Sequence, residues 1–355
     1  MSKKSALHIA KGVEDAPFIN PKWKGAKRLK QDTESLAEAV LQGDITALSL
    51  AITVAESTSP EDELRCRALM NRLHPESGGA FRIGISGVPG VGKSTFLEAY
   101  CSFLLNHDPD ARIAVLAVDP SSEWSKGSIL GDKTRMESIG KSNRVFIRPS
   151  ASGGRLGGVA RSTFEAVTLC EAAGFNFIFV ETVGVGQSET VVSKLTDCFL
   201  FLAMPGTGDE LQGIKKGIME MADVIALNKC DGDRIQQAEQ SAIELQGALQ
   251  LMTRAQDHWQ PPVLQISALH ATGMEDMWSA LDRFKRHGQL NGWMDKRRSA
   301  QQEYWFKSTI GDLLFERMSA KENWGKERDD LLAQIAKGKV SPFEASRLLM
   351  DKILA

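Results

Sequence analysis

The chain has 355 residues, of which 42% are hydrophobic and 25% are charged, and its formal net charge is −2. This composition is ordinary for a soluble globular protein. The near-neutral charge lacks the basic excess that nucleic acids and anionic membranes attract, so neither is expected as a partner.

The cysteines and the first residues predict a cytoplasmic location. The five cysteines are scattered and form no C-x-x-C pair. No disulfide framework or zinc site is therefore predicted, which suits a reducing compartment. The opening segment, MSKKSALHIAKG, lacks the apolar core of a signal peptide, and no apolar run is long enough to cross a membrane.

Residues 1–80 are predicted to be an N-terminal helical segment. Residues 1–30 are polar and carry two prolines, which is typical of a tail or a wrapping arm. Helical periodicity runs through residues 32–57. Ser59 followed by Pro60 then marks the start of a further helix.

Residues 81–285 are predicted to form an α/β domain. Short apolar runs rich in β-forming residues alternate with helical segments, which indicates a mainly parallel sheet flanked by helices. The runs read FRIGISG, RIAVLAVD, RVFIRPS, FNFIFVET, CFLFLAMPG, DVIALNK and PVLQISAL. Residues 286–355 return to charged, helical sequence, which we interpret as a C-terminal helical arm.

A phosphate-binding loop follows the first of these runs. The segment GVPGVGKS matches the pattern G-x-x-x-x-G-K-[ST]. In such loops glycines turn backbone N–H groups towards phosphate oxygens, the lysine reaches the β and γ phosphates, and the serine hydroxyl binds Mg²⁺. The positive end of the following helix faces the same phosphates. The residues predicted to bind nucleotide here are Gly87, Gly90, Val91, Gly92, Lys93, Ser94 and Thr95.

A second motif indicates which base is bound. Asn228, Lys229 and Asp231 form N-K-x-D at the end of the run DVIALNK. A carboxylate accepts from guanine N1–H and from the exocyclic amine, whereas adenine has no such donor pair, so GTP is predicted over ATP. A further loop, whose backbone could meet the guanine O6, comprises Ser267, Ala268 and Leu269. Taken alone, that loop would be a plain strand-to-helix turn.

Three carboxylates are candidate groups on the magnesium side of the site. Asp119 and Glu181 each end an apolar run, and Asp132 lies in a polar loop. Mg²⁺ prefers hard oxygen ligands and keeps several waters, so one or two carboxylates beside Ser94 would suffice. Any one of the three could instead be a solvated loop residue. Gly184 could use its backbone N–H to sense the γ-phosphate.

The segment VETVGVGQ, which contains Glu181, has valine rather than glutamine directly after Gly184. If nothing adjacent positions the attacking water, intrinsic hydrolysis should be slow. The rate would then come from a partner that moves another group into place. This pattern favours a switch or a chaperone over a metabolic hydrolase.

The chain resembles the MeaB/ArgK/MMAA family of GTPases. The resemblance is carried, in family order across residues 87–231, by GVPGVGKST, VDPSS, ILGDKTRM, FIRPSASGGRLGGVA, VETVGVGQSE, MPGTGDELQGIKKGIMEMAD and NKCD. It implies a P-loop NTPase fold of the SIMIBI type and a GTPase that assists adenosylcobalamin-dependent acyl-CoA mutases, chiefly methylmalonyl-CoA mutase. GTP binding and hydrolysis would gate cofactor loading and protect the loaded enzyme.

The resemblance also implies roles for individual residues. The magnesium-side groups would be Ser94, Asp119, Asp132 and Glu181. The catalytic set would be Lys93, Glu181, Gln212 and Lys215. The last two lie in a third switch, GDELQGIK, which by itself would be a capped helix start with an exposed lysine. Family members form homodimers through a C-terminal helical arm, which suits residues 286–355.

Two alternative functions remain open. A metal-insertion GTPase of the same fold would be marked by clusters of Cys or His, and the sequence shows neither a His-rich tail nor a short Cys motif. A kinase, which matches an older label of the family, would need an acceptor pocket beside the phosphates. No H-R-D catalytic loop of the protein kinases appears.

Overall fold

The computed structural model describes residues 32–118, 136, 139–149, 158–182, 188–206, 216–251 and 259–354. Its centre is a sheet built from β1 (Phe81–Gly87), β2 (Ile113–Val118), β3 (Val145–Arg148), β4 (Phe177–Thr182), β5 (Cys198–Ala203), β6 (Val224–Leu227) and β7 (Val263–Gln265). The strand order is β3-β2-β4-β1-β5-β6-β7, and every neighbouring pair is parallel. The predicted α/β fold is therefore confirmed.

Helices cover the sheet and continue beyond it. They are α1 (Thr33–Leu41), α2 (Ile45–Glu56), α3 (Pro60–Leu73), α4 (Lys93–His107), α5 (Gly158–Ala172), α6 (Ser188–Ser193), α7 (Lys216–Met221), α8 (Ile235–Gln250), α9 (Met274–Leu290), α10 (Trp293–Ser319), α11 (Trp324–Ala336) and α12 (Pro342–Leu354). In the part of the chain that is described, none of them combines the length and the apolar character needed to cross a membrane.

Alternation along the strands divides the interior into two hydrophobic cores. In β2, Ile113 and Val115 point into a core shared with α4 and α9. Their neighbours Ala114 and Leu116 point into a second core shared with α1, α2, α3 and α5. A strand with both faces buried is a near-continuous apolar run, which is why these strands show no polar alternation in the sequence.

The first three helices belong to the second of these cores. Asp44 caps α2 by accepting from Thr46 N at 2.7 Å and from Ala47 N at 2.9 Å, which satisfies two of the N–H groups that a helix start leaves unpaired. Leu48 in α2 and Leu69 in α3 are almost completely buried in the same core as sheet residues. These helices therefore stabilise the sheet directly.

Two ion pairs, each between a buried aspartate and a partly buried arginine, hold the start of α10 against the sheet. Arg298 donates to both carboxylate oxygens of Asp197 at 2.7 Å, and Arg297 donates to Asp223 at 2.8 Å. The two aspartates precede β5 and β6, and both are buried. Removing one partner of a buried ion pair typically costs about 3–5 kcal/mol, so this end of the helix is firmly fixed.

A glycine in β1 allows α6 to lie close to the sheet. A Cβ at Gly84 would overlap the side chain of Val192 and lie 2.8 Å from Oγ1 of Thr196. Only a hydrogen at this position permits the observed packing. The strand that leads into the phosphate loop is therefore in direct contact with the end of α6.

We expect Gly84→Ala to lower the free energy of unfolding by about 1–3 kcal/mol, because overpacking a tight interior contact forces neighbouring groups to shift. The matched control is Gly247→Ala in α8, where the new methyl group would meet no atom within 4 Å beyond the neighbouring residues and backbone of its own helix. That change should stabilise the protein by about 0.5–1 kcal/mol. Urea unfolding measures both, and equal effects would contradict close packing at Gly84.

Candidate functional site

The loop between β1 and α4 has the backbone of a phosphate cradle. Gly90 and Gly92 have φ angles of +76° and +94°, a left-handed region that glycine enters without steric cost. A Cβ at Gly87 would lie 2.5 Å from the carbonyl oxygen of Leu202. Val91 is buried beneath the loop, so the cradle is attached to the core that includes α4.

Two side chains at the start of α4 face this loop and the neighbouring strand. Lys93 donates from Nζ to the carbonyl of Gly87 at 3.0 Å, which holds the ammonium group over the loop. Ser94 donates to Oε1 of Glu181 at 3.4 Å. Thr95, the remaining predicted nucleotide ligand of this segment, is exposed.

Glu181 lies near the end of β4, next to β1 in the sheet. Its side chain is only 4% exposed, and Thr182 beside it donates to Ser86 Oγ at 3.3 Å. A buried carboxylate next to the Ser94 hydroxyl supplies hard oxygen donors, the type that Mg²⁺ prefers. The residues that the structure describes here therefore fit a magnesium ion.

Asn228 connects three loops. Its side chain is buried, donates from Nδ2 to the carbonyl of Val91 at 2.8 Å, and accepts at Oδ1 from Ala268 N at 2.9 Å. One amide thus holds the phosphate loop, the loop after β6 and the loop after β7 in a fixed arrangement.

The residues after Asn228 complete this arrangement. Lys229 has φ of +65° and donates from Nζ to Gly90 O at 2.8 Å, so its stem crosses from the loop after β6 to the phosphate loop. Asp231 accepts a short hydrogen bond from the Ser267 hydroxyl. Leu269 is 75% exposed, and its side chain faces solvent. The predicted base-binding residues therefore lie together at one edge of the sheet.

Cys230 lies between Lys229 and Asp231 without the reactivity of an exposed thiol. Burial, opposed by a hydrogen bond with the Ile266 backbone and assisted by the nearby charge of Asp231, raises the pKa of its thiol to about 11. The thiol is therefore protonated at neutral pH, and it donates to the carbonyl of Leu227 at 3.1 Å.

Several predicted site residues lie outside the described part of the chain. They are Asp119, Asp132, Gly184, Gln212 and Lys215. Within the described ranges, no group of three or more His, Cys, Asp or Glu side chains is arranged to hold a metal ion.

The model of the methylmalonyl-CoA mutase-associated GTPase MeaB family matches residues 48–323. The chain belongs to this family. The match begins in α2 and ends just after α10, so it includes the complete sheet and the loops described above.

Relatives and a solved structure agree with the MeaB assignment. A putative GTPase of Caulobacter vibrioides is 45% identical over 324 residues, which cover 91% of this chain and 97% of the relative. The mitochondrial methylmalonic aciduria type A homolog of Mus musculus is 37% identical over 343 residues, covering 91% and 82%. A crystal structure described as LAO/AO transport system kinase has a TM-score of 0.72 and 33% identity, covering 91% and 98%.

These findings confirm that the protein is a P-loop GTPase that binds guanine nucleotide. This is the family that the sequence motifs between the phosphate loop and N-K-x-D predict.

Two features at this edge of the sheet were not predicted from the sequence. The Lys229 ammonium binds the Gly90 carbonyl, a contact that the N-K-x-D pattern does not indicate. Gly206, which follows β5, is held by α8, since Gly206 N donates to Ser241 Oγ at 3.1 Å and Gln237 donates to Gly206 O at 3.2 Å. The sequence does offer one signal here, because a proline followed by a glycine, Pro205-Gly206, favours a turn. Gly206 indeed has the positive φ that such a turn can require.

Proposed function

We propose that this GTPase is a chaperone of an adenosylcobalamin-dependent acyl-CoA mutase, with methylmalonyl-CoA mutase as its client. The supporting observation is the match of residues 48–323 to a family described as associated with that mutase. In this role GTP binding and hydrolysis gate cofactor loading and protect the loaded enzyme. A cytoplasmic location is supported by the five cysteines, which all carry free thiols.

The residues of the site have distinct proposed roles. The loop from Gly87 to Thr95 surrounds the phosphates, and Lys93 offsets the negative charge that develops there during transfer to water. Asp231 accepts from the guanine N1–H and amine, and the Ser267 hydroxyl orients its carboxylate. This arrangement is supported by the short contact between those two side chains. Asn228 keeps the base and phosphate loops in register.

Mg²⁺ is proposed to bind on the β4 side of the phosphates. Ser94 and Glu181 are its described candidates because their oxygens are 3.4 Å apart, and Asp119 and Asp132 complete the proposed set. When bound, the ion would supply positive charge beside the phosphate oxygens. The buried position of Glu181 lets its carboxylate orient the Ser94 hydroxyl.

Slow intrinsic turnover is expected because valine, and not glutamine, stands directly after Gly184. We propose that the client supplies the missing rate through Gln212 and Lys215. A lysine brought to the phosphates would offset charge in the transition state, an effect worth several kcal/mol in a site from which water is excluded. In the free protein an ammonium group is most stable in water, so Lys215 would contribute only in the complex.

A kinase is the second candidate function, favoured by the description of the similar solved structure as a transport kinase. A kinase would transfer the γ-phosphate to an acceptor other than water. With γ-labelled GTP, the GTPase proposal expects the label to appear as inorganic phosphate, whereas label retained on a protein or small molecule would support the kinase.

Base recognition is tested by Asp231→Asn. The carboxamide can donate to the additional carbonyl of xanthine, whereas the carboxylate can only accept, so preference should shift from GTP towards xanthosine triphosphate. Loss of guanine's two contacts should weaken GTP binding roughly 10- to 100-fold. Calorimetry with both nucleotides measures the shift, with exposed Asp233→Asn as the control. Unchanged GTP binding by the first variant would reject this role for Asp231.

The chaperone proposal is tested by single-turnover GTP hydrolysis with and without saturating methylmalonyl-CoA mutase. We expect the mutase to accelerate hydrolysis, and Lys215→Ala to remove most of this acceleration while basal turnover stays nearly unchanged. Lys216→Ala, the same change one residue later, is the matched control. A pull-down shows whether each variant still forms the complex. No acceleration of the parent protein would reject the mutase as client, and full acceleration of Lys215→Ala would reject the role of that lysine.

We propose further that the protein is a homodimer joined through the C-terminal arm. One face of α10 exposes an apolar stripe at helical spacing, which consists of Phe306, Ile310, Leu313 and Leu314. Phe306 and Leu314 are 67% and 54% exposed. Large exposed apolar patches of this kind mark interaction surfaces in soluble proteins, and a second copy of the helix would cover it.

The dimer is tested with the double variant Phe306→Asp and Leu314→Asp. Two charges within the stripe should convert the protein to a monomer in light scattering, because unpaired charges in an apolar interface are strongly unfavourable. The control is Leu64→Asp on α3, where the leucine is 65% exposed and lies outside the stripe. A dimer that survives the double change would exclude this surface as the interface.

A further inference from the structure

A cavity lies beside β3, the strand at one end of the sheet. Its volume is about 550 Å³, and the five consecutive residues from Val145 to Pro149 line it. The two flanks come from opposite faces of the sheet, since α2 belongs to one hydrophobic core and Met136 to the other. The flanking residues are Ile45, Thr46, Ser49, Met136, Gly140 and Lys141. The cavity is therefore a groove whose floor is the edge of a strand.

The floor of the groove presents backbone hydrogen-bonding groups. β3 pairs with β2 on one side, and no strand in the described part of the chain pairs with it on the other. Arg144 O accepts from Ile113 N of β2 at 2.8 Å. Because backbone groups alternate between the two sides of a strand, those of Val145 and Ile147 point away from β2. Val145 N donates to Ser142 O, which leaves Val145 O and both groups of Ile147 facing the groove. Such a row is a template for a further strand.

The dimensions of the groove suit an extended peptide. A strand rises about 3.3 Å per residue, so the five residues of the floor offer a length of about 16 Å. Side chains of an added strand would alternate between the two flanks. Ile45 supplies an apolar contact on one flank and the buried Met136 supplies one on the other. Strand addition combines backbone hydrogen bonds, which give affinity, with flanking pockets for alternate side chains, which give specificity.

The charges of the groove indicate which peptide it accepts. Lys141 and Arg148 line it, and its described lining contains no carboxylate. Arg148 is held by α2, because it donates to Ser49 Oγ at 3.4 Å and pairs with Glu56. Lys141 is exposed, so its ammonium group can meet an incoming carboxylate in a charge-assisted hydrogen bond.

The groove is separate from the nucleotide site. β2 and β4 lie between β3 and β1, and three spacings of about 4.8 Å place β3 about 14 Å from the strand that leads into the phosphate loop. None of the described residues of the nucleotide site lines the groove.

We propose that this groove binds an extended segment of a partner protein that carries an acidic side chain. The segment joins β3 as a further strand, with hydrogen bonds to Val145 O and to both backbone groups of Ile147. Its carboxylate pairs with Lys141, and its apolar side chains contact the flanks. The proposal concerns a second surface of the molecule, so it holds whichever protein is the client of the GTPase.

Fluorescence anisotropy of labelled peptides tests the charge preference in the full-length protein. The probes are the capped pentapeptide Thr-Val-Glu-Val-Thr and the same peptide with lysine in place of glutamate. We expect the glutamate peptide to bind about three- to tenfold more tightly, the range for an exposed ion pair that changes from attraction to repulsion. Lys141→Glu should reverse this preference. Lys337→Glu, the same change at an exposed lysine of the C-terminal arm, should behave like the parent.

The added strand is tested by Ile147→Pro. Proline removes the N–H that faces the groove, and it leaves the pairing with β2 unbroken because that N–H points away from β2. Both peptides should then bind about tenfold more weakly, since a carbonyl of the peptide loses its donor. Unchanged GTP affinity in calorimetry shows that the variant is folded. If Ile147→Pro does not fold, Lys141→Glu decides.

Several results would overturn the proposal. One is that the parent binds neither peptide. Another is that Lys141→Glu, or folded Ile147→Pro, binds both peptides with the affinities of the parent. Displacement of the glutamate peptide by an equal concentration of capped glutamate would also overturn it, because the cavity would then take a small carboxylate and not an extended chain.

Discussion

The side-chain amide of Asn228 is the interaction on which the site depends. It is buried, and both of its polar ends are satisfied, by Val91 O and by Ala268 N. Because β1, β6 and β7 are parallel, the loops that follow them emerge at one edge of the sheet, but the strands alone do not set the distances between loops. One planar amide with two good hydrogen bonds sets those distances. Lys229 adds a second connection from the same loop to Gly90, so the phosphate loop and the loop after β6 form one connected surface.

This surface requires a sheet that does not deform, and the two hydrophobic cores provide it. Strands β2 to β6 each contribute alternate side chains to cores on opposite faces, so bending one of them would disrupt packing on both sides. The N-terminal helices close one core, and α4 and α9 close the other. The tight contact at Gly84 belongs to the same design, because it brings α6 to the strand that carries the phosphate loop. Packing of this density transmits displacement instead of absorbing it.

Much of this arrangement could be predicted from the sequence, for identifiable reasons. A parallel sheet aligns the carboxyl ends of its strands, so Ser94 beside Glu181 and Asp231 beside Ser267 follow once the apolar runs are recognised. The capping of α6 by Gln301 and Trp305 could not be predicted. These residues are separated from their acceptors by more than 100 positions, and they lie in a charged helix whose sequence carries no motif. The close contact at Gly84 could not be predicted either, since a glycine within an apolar run does not reveal what packs against it.

The helix α10 has two faces with different tasks, and its length makes them interdependent. It is 27 residues long, which corresponds to about 40 Å at 1.5 Å per residue. Near its start, Gln301 and Trp305 contact the end of α6, and a short distance further along, the apolar stripe from Phe306 to Leu314 faces away from the sheet. The hydrogen bonds to the end of α6 and the stripe lie on one continuous helix that Arg297 and Arg298 anchor to the sheet, so restricting one of them also restricts the other. Linkage makes this relation reciprocal: whatever binds the stripe and restricts α10 also restricts the end of α6.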